Sequence, residues 1–393
     1  MKPLANPTSK LLAIAAMAAA LAMLSTSTSA QTIAATTASS LRISVVTCEA
    51  GHDIPSAFGH VAIRLRDTSA QHPLDLVFDY GTFNFDEPMF LPKFARGNLL
   101  YYLSVRSFEQ FYDEYSSEQR RVTEQLLQLT EPQHQRIAEM LFNNYQPQNR
   151  YYLYDFITDN CATRIRDILE HPDFTHPIQG PDSSYRQLIH RYLTHKPWLG
   201  LAVDILLGPS TDSLASFGQA LFLPYTISNG LTHYRNQITN QPLASPTQVL
   251  IEGRTAQHHG LWREPWALFS LLLAITAGLA LTKRTQALHY MALAVFGVLS
   301  LLGLLLLFLW IGSRYSCTNM NLNLLWCLPL YPLLLLPIGS TLKRSLLLLQ
   351  CAMLATVLLL GWWGLPQHFN VAVYPLAATL LIMNIGELRH HSK

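Results

Sequence analysis

The sequence predicts an α+β soluble domain followed by an all-α membrane domain of about five transmembrane helices. Three observations predict it. Alternating apolar strands dominate residues 41–105, helical spacing takes over from about residue 116, and the last third is a series of apolar runs. Strands first and helices afterwards argue for an antiparallel sheet plus helices rather than a doubly wound sheet.

The elements follow in chain order. Lys2 and Lys10 precede an apolar stretch, Leu11 to Leu24, which closes on small residues at Thr28 and Ala30. Residues 1–30 therefore read as a signal peptide, with an uncleaved anchor as the alternative. Residues 31–240 form the exported domain. Its strands are predicted at 41–47, 60–66, 74–83 and 99–105, the second with Val61, Ile63 and Leu65 on one face. Two capping-box starts follow, Ser116-x-x-Gln119 and Thr130-x-x-Gln133, the second with Pro132 in the first turn. Val122, Leu126 and Leu129, then Ile137, Leu141 and Tyr145, keep helical spacing, as do Ile165, Ile168 and Leu169 after Cys161.

Residues 241–263 read as a linker and 264–393 as the membrane domain. Five apolar runs lie near 266–281, 289–311, 322–340, 345–363 and 371–385, each close to the roughly 20 residues that cross a bilayer. Lys283-Arg284, Lys343-Arg344 and the stretch from Arg389 to Lys393 fall at alternate breaks, whereas 312–321 and 364–370 are nearly neutral apart from Arg314. The positive-inside rule then gives five spans, an exported first domain and a cytoplasmic C-terminus, in the inner membrane. Pro329, Pro332 and Pro337 predict a kinked or broken third span, either for packing or as part of a groove.

Half of the 393 residues are hydrophobic and 13% are charged, a low share for one soluble globule. The formal charge of +2 gives no reason to expect nucleic acid. No Gly-x-Ser-x-Gly, phosphate loop or dinucleotide fingerprint is present, and His52, Asp53 and His60 match no common zinc spacing. Neither metal nor cofactor is expected.

The chemistry concentrates in two short segments. His60 opens an alternating strand, and Cys161 follows Asp159-Asn160 at the start of an amphipathic helix. A thiol there meets the positive end of the helix dipole, which favours thiolate, the form that attacks carbonyls. His60 would act as base, and backbone N–H groups at the helix start would hold the oxyanion. If strands two and three pair about a turn near Ala70–Pro73, His60 lies across from 79–81. Asp79 is then the first choice to orient the imidazole, with His72 and Asn84 behind it, although a one-residue slip reverses the faces. The alternative for Cys161 is a disulfide with Cys48, the other cysteine of the exported domain. Cys317, Cys327 and Cys351 lie in or beside the spans and read as packing residues. Tyr80, Asn84 and Asn160 are candidate substrate contacts. So are Arg314, Asn321 and Asn323 on the loop at headgroup depth, with interfacial anchoring as the alternative. Tyr80, Phe83, Tyr101 and Tyr102 either line an acyl groove or pack the core.

The order of strand histidine and helix-start cysteine resembles the permuted NlpC/P60 arrangement shared with lecithin:retinol acyltransferase-like enzymes. More closely, Phe58-Gly59-His60-Val61-Ala62-Ile63-Arg64, Asp79-Tyr80-Gly81-Thr82, Tyr151-Tyr152-Leu153-Tyr154-Asp155 and Asp159-Asn160-Cys161-Ala162-Thr163 resemble the Lnb N-terminal periplasmic domain family. Pro197-Trp198-Leu199 with Asp204 and Gly208, Phe222-Leu223-Pro224 and the run from Asn321 to Trp326 extend the likeness into the membrane part. The resemblance implies a membrane-bound lipoprotein N-acyltransferase that moves a fatty acyl chain from a phospholipid to the N-terminal amine of a diacylated lipoprotein. Cys161 would match the family's thiol and His60 its base. Anchoring both reactants at one membrane surface raises their effective concentration at the site. The alternatives are a membrane-tethered thiol peptidase or amidase acting on peptidoglycan, and a non-catalytic membrane assembly protein.

Overall fold

Alternation of small and branched apolar residues sets the first strands, and the sheet grows from them. The computed structural model describes residues 40–51, 53, 55–69, 73–254, 264–335 and 339–390. The predicted signal segment, His52, His72 and most of the predicted Ala70–Pro73 turn lie outside them.

Strands β1 (Leu41–Cys48), β2 (His60–Asp67), β3 (Leu74–Thr82), β4 (Leu100–Ser107), β5 (Val122–Leu126), β6 (Tyr151–Leu153) and β10 (Gln248–Ile251) form a seven-stranded sheet of order β10-β5-β1-β2-β3-β4-β6. Its neighbouring pairs are antiparallel. A separate three-stranded sheet joins β7 (Phe174–Thr175), β8 (Arg235–Asn236) and β9 (Gln241–Pro242). Helices α1 (Phe90–Arg96), α2 (Phe108–Ser117), α3 (Glu131–Tyr145) and α4 (Cys161–Leu169) fill the connections between strands. After them come α5 (Tyr185–Leu193), α6 (Pro197–Leu206), α7 (Phe217–Ala220) and α8 (Pro224–Leu231).

One sheet face carries Val61, Ile63, Leu65, Phe78 and Tyr80, packed on Ile137 and Leu141 of α3 and Ala162, Ile165 and Ile168 of α4. The opposite face carries Val46, Ala62 and Val77 against Phe111 and Tyr115 of α2. Each large side chain so buried stabilises the fold by about 1.5–3 kcal/mol. His60 and Asp79 share the α2 face by strand alternation, while Cys161 begins a helix on the other face.

Two sequence expectations give way here. Val122 and Leu126 belong to strand β5, not to a helix starting at Ser116; α2 ends at Ser117, and Gln119 turns the chain at a φ of +55°. Pairing with β1 and β10 outweighs the local helical spacing. Residues 248–251 are likewise an edge strand of the main sheet, so the predicted linker of 241–263 begins too early. The Thr130 start holds, with Gln133 Oε1 accepting from the Thr130 N–H at 2.8 Å.

The C-terminal part contains α9 (Pro265–Leu281), α10 (Thr285–Gly312), α11 (Ser340–Leu360) and α12 (Val373–His390). Among the described residues, α10 and α11 are long and apolar enough to cross a membrane, and α9 is apolar but shorter. The predicted third span is not a continuous helix. Its described residues form short 3₁₀ turns at Leu322–Leu325 and Tyr331–Leu335, because prolines remove the donors an α-helix needs. Neighbours meet the exposed backbone instead. Ser300 Oγ of α10 donates to the Pro329 carbonyl at 2.9 Å, and in return the segment's own Cys327 thiol donates to the Leu299 carbonyl of α10 at 3.0 Å.

The two charge-poor loops are those that meet the first domain. Asn321 Nδ2 donates to the Ile205 and Leu206 carbonyls at 2.7 and 3.1 Å. Asn323 Nδ2 donates to those of Asp204 and Ile205 at 2.9 and 3.1 Å, and Gln367 Nε2 reaches Leu207 at 3.1 Å. Membrane-loop amides thus satisfy the last carbonyls of α6. Gly208 completes the joint: a Cβ there would stand 2.1 Å from the Asn319 carbonyl oxygen.

Candidate active site

The register of β2 on β3, Ile63 opposite Phe78 and Asp67 opposite Leu74, brings Asp79 and His60 to one end of the sheet on one face. His60 Nε2 and Asp79 Oδ1 are 2.6 Å apart. That leaves Nδ1 free of the carboxylate, and Cys161, at the start of α4, lies close enough to the imidazole to favour its charged form. Gly81, near the end of β3, lies beside this pair. It adopts a φ of +95°, and a Cβ there would lie 3.7 Å from Cys161 Cβ and 4.0 Å from His60 Cε1. The site would admit a methyl group, but this backbone conformation favours glycine.

Burial penalises the imidazolium, yet the Asp79 carboxylate and the Cys161 sulfur outweigh it and hold the His60 pKa at about 10. Burial also opposes ionisation of Asp79. His60 and Arg106 prevail, keeping the carboxyl below its usual range. Arg106 Nη2 donates to Asp79 Oδ2 at 2.9 Å, and its guanidinium carbon lies 4.9 Å from the centre of the Phe111 ring. The row Cys161–His60–Asp79–Arg106 therefore ends on a fixed cation.

Both Cys48 and Cys161 are free thiols, so they are not the disulfide considered above. Cys48 pairs with His60 across β1 and β2 but is 1% exposed, and burial pushes its thiol well above the ordinary value. Cys161 is half-buried.

Several candidate contacts prove structural. Asn160 is buried: Oδ1 accepts from the Ala162 and Thr163 N–H groups at 2.8 and 3.0 Å. Its Nδ2 donates to the Phe156 and Phe222 carbonyls at 2.7 and 3.0 Å. It therefore caps α4 and is fully engaged away from substrate. The cap also takes up two of the N–H groups expected to hold an oxyanion; the N–H of Cys161 itself has no partner among the described residues. Tyr80 is 2% exposed, and its hydroxyl accepts from Asn144 Nδ2 at 2.9 Å. Asn84 is exposed and accepts from the Asp86 N–H at 3.0 Å in a local turn. Asn321 and Asn323, each 1% exposed, are occupied at the α6 joint, whereas Arg314 is exposed. Tyr101 is buried, Phe83 and Tyr102 are half-buried, and Tyr102 packs on Tyr151.

Replacing Asn160 with alanine is expected to lower unfolding stability by about 2–3 kcal/mol, from a lost cap and two stranded carbonyls. Denaturant titration of the detergent-solubilised chain measures it.

Two residues escaped the sequence reading. Arg106 lies one position past the expected end of the fourth strand, and its partner sits 27 residues away. Tyr152 was visible only as part of a tyrosine-rich motif. Its hydroxyl is buried without a hydrogen-bond partner among the described residues, 3.9 Å from where a Gly81 Cβ would stand and hence beside the thiol–imidazole pair. The Arg164 guanidinium carbon lies 4.2 Å from the centre of its ring, and burial keeps the phenol protonated. Among the described residues no three His, Cys, Asp or Glu side chains gather as a metal site.

Such a row, a thiol beside an imidazole that is itself held by a carboxylate, can carry nucleophilic acyl chemistry. Residues 28–191 match the Lnb N-terminal periplasmic domain and residues 257–393 match the Lnb transmembrane domain. These matches define a membrane protein with a periplasmic domain. Covering separate parts of the chain, they support the Lnb family for this protein. No curated protein matches the chain, and no solved structure does.

Proposed function

We propose that the chain is an inner-membrane lipoprotein N-acyltransferase that works through a Cys161 thioester. The observation that supports this reading is the Cys161–His60–Asp79 row in a domain joined to a transmembrane part. Cys161 Sγ attacks the ester carbonyl carbon of a phospholipid. The ester C–O bond breaks, the His60 imidazolium gives its proton to the departing lysolipid oxygen, and a thioester and a neutral imidazole remain.

Acylation removes the sulfur charge that helped hold the proton on His60, so the ring is ready to act as base. The α-amino nitrogen of a diacylated lipoprotein then attacks the thioester carbonyl. His60 takes the amine proton, the C–S bond breaks, and the thiolate–imidazolium pair is restored. In both halves the Cys161 N–H and the Tyr152 hydroxyl, each without a partner among the described residues, serve as donors to the developing oxyanion.

The test is the intact mass of the purified wild-type protein after incubation with phospholipid vesicles, and the acylation state of lipoprotein N-termini with and without the chain. A fatty acyl adduct released by hydroxylamine supports the reading. Cleaved peptidoglycan peptides without an adduct would point to the peptidase alternative.

Tyr152→Phe is expected to slow acyl loading by about 10²-fold with donor binding unchanged, the cost of one oxyanion donor. Single-turnover loading at saturating donor measures it. Asp79→Asn is expected to slow loading by about 10²- to 10³-fold. The amide also removes an influence that raises the His60 pKa. Loading needs imidazolium and so falls as pH rises through about 10 in the wild type. In the variant that alkaline limb moves to lower pH, and a pH–rate profile shows the shift. The associated stability has the same sign. It is fully present below the ordinary histidine value and lost as pH rises through the folded-state value.

A further inference from the structure

Aromatic side chains run without a gap from the thiol to the membrane end of the molecule. Tyr152, whose hydroxyl lies with Cys161 beside Gly81, meets Tyr101 at a centroid distance of 6.3 Å, and Tyr154 stacks on Tyr101 at 4.4 Å. Tyr101 meets Phe83 at 4.9 Å, Phe83 meets Phe90 at 5.7 Å, and Phe90 stacks on Phe94 at 6.4 Å. Phe94 then meets Tyr315 at 6.2 Å, just beyond the end of α10. The Arg96 carbonyl accepts from the Arg314 N–H at 3.1 Å, and the Arg96 guanidinium carbon lies 6.0 Å from the centre of the Phe308 ring within α10.

Helix α1 is thus held against the end of α10 that faces the first domain. There the helix and the residues just before it expose large apolar side chains: Phe85 is 63% exposed, Met89 70%, Leu91 72% and Phe94 41%. Lys93, in an ion pair with Glu87 at 2.7 Å, and Arg96 supply cationic groups beside them. Scattered exposed apolar residues need no explanation, but four within ten positions, continuous with a membrane-spanning helix, do.

We infer that α1 and the preceding Phe83–Phe85 segment insert into the leaflet facing the first domain and form the entrance through which a phospholipid acyl chain reaches Cys161. The occupant is the acyl region of the bilayer itself, because the patch continues the lipid-exposed surface of α10 and leads inward along rings. This inference rests on the acyl-transfer reading for its purpose, but its membrane contact is testable alone.

The experiment uses the full chain in phosphatidylethanolamine–phosphatidylglycerol vesicles doped with a phospholipid bearing a diazirine on one acyl chain. After irradiation, label is expected on Phe85, Met89 or Leu91 as well as on α10, and equally in Cys161→Ser. Label confined to the spans overturns the inference. A Met89→Asp, Leu91→Asp double variant alters only exposed side chains. It is expected to slow loading of Cys161 from vesicle phospholipid at least tenfold while loading from a water-soluble short-chain acyl thioester stays within twofold. Equal loss with both donors, or no loss with either, overturns it. Failure of the wild type to load from either donor removes the acyl-transfer reading, and the labelling result still decides whether α1 is inserted.

Discussion

Serine at position 161 is expected to reduce acyl loading by more than about 10³-fold while leaving the fold intact. The two side chains differ by one atom, and position 161 is half-buried at the first turn of α4 with its cap supplied by Asn160 rather than by its own side chain. Packing therefore changes little. Chemistry changes greatly, since an alcohol is intrinsically a far weaker acid and a poorer nucleophile toward a carbonyl than a thiol. An imidazole held at about 10 by Asp79 and the neighbouring sulfur is a poor base at neutral pH, but a good acid toward a leaving alkoxide. That arrangement suits a thiolate and not an alcohol. Intact-mass detection of the adduct, with thermal unfolding run in parallel, checks both halves of the expectation. Undiminished loading in Cys161→Ser would sink the thioester mechanism.

The largest expected loss of stability comes from Asp204→Ala, about 3–5 kcal/mol. Asp204 is 4% exposed and accepts from Arg186 Nη1 at 2.9 Å, His190 Nε2 at 2.9 Å and Asn370 Nδ2 at 2.8 Å. Arg186, 5% exposed, also donates to Asp212 from Nε at 2.9 Å and Nη2 at 3.0 Å, to Thr211 Oγ1 at 3.0 Å and to the Leu207 and Gly208 carbonyls at 3.2 Å each. Removing the Asp204 carboxylate leaves a buried guanidinium with one carboxylate partner instead of two. It also cuts the bond to Asn370, on the loop entering α12. The variant is expected to loosen the joint between the domains as well as the first domain itself. Limited proteolysis near residues 207–212, together with a lowered denaturation midpoint, measures this. An Asp204→Asn variant separates charge from shape, since it retains an acceptor for Arg186 and is expected to lose less.

The residues legible in the sequence were those whose role is encoded locally. His60 was legible because a strand's alternation is readable in eight residues, and Cys161 because Asp159-Asn160 announces a helix start. Asp79 required one further step, the register of a hairpin whose two strands are nearest neighbours in sequence. Arg106 depends on the register of β4 on β3, where it faces Val77, and Tyr152 on the pairing of β6 with β4, which joins Leu100 to Leu153 across 53 residues; no local pattern encodes either. Asn160, Asn321 and Asn323 misled for a related reason. A polar side chain looks available in a sequence, and only folding shows that backbone groups of α4 and α6 have already taken its hydrogen bonds.

By itself the sequence determined the elements with short-range causes: four strands, the capped helices after Thr130 and Asn160, and the apolar runs with charges at alternate breaks. Tertiary structure decided what those elements meet. It turned residues 122–126 into a strand, supplied Ser300 to the backbone of the proline-broken span, and set Arg106 behind Asp79 and Tyr152 beside the thiol. The physical reason is range. Caps, alternation and proline act within a few residues, whereas strand pairing and the satisfaction of buried polar groups depend on partners that only the folded chain brings near.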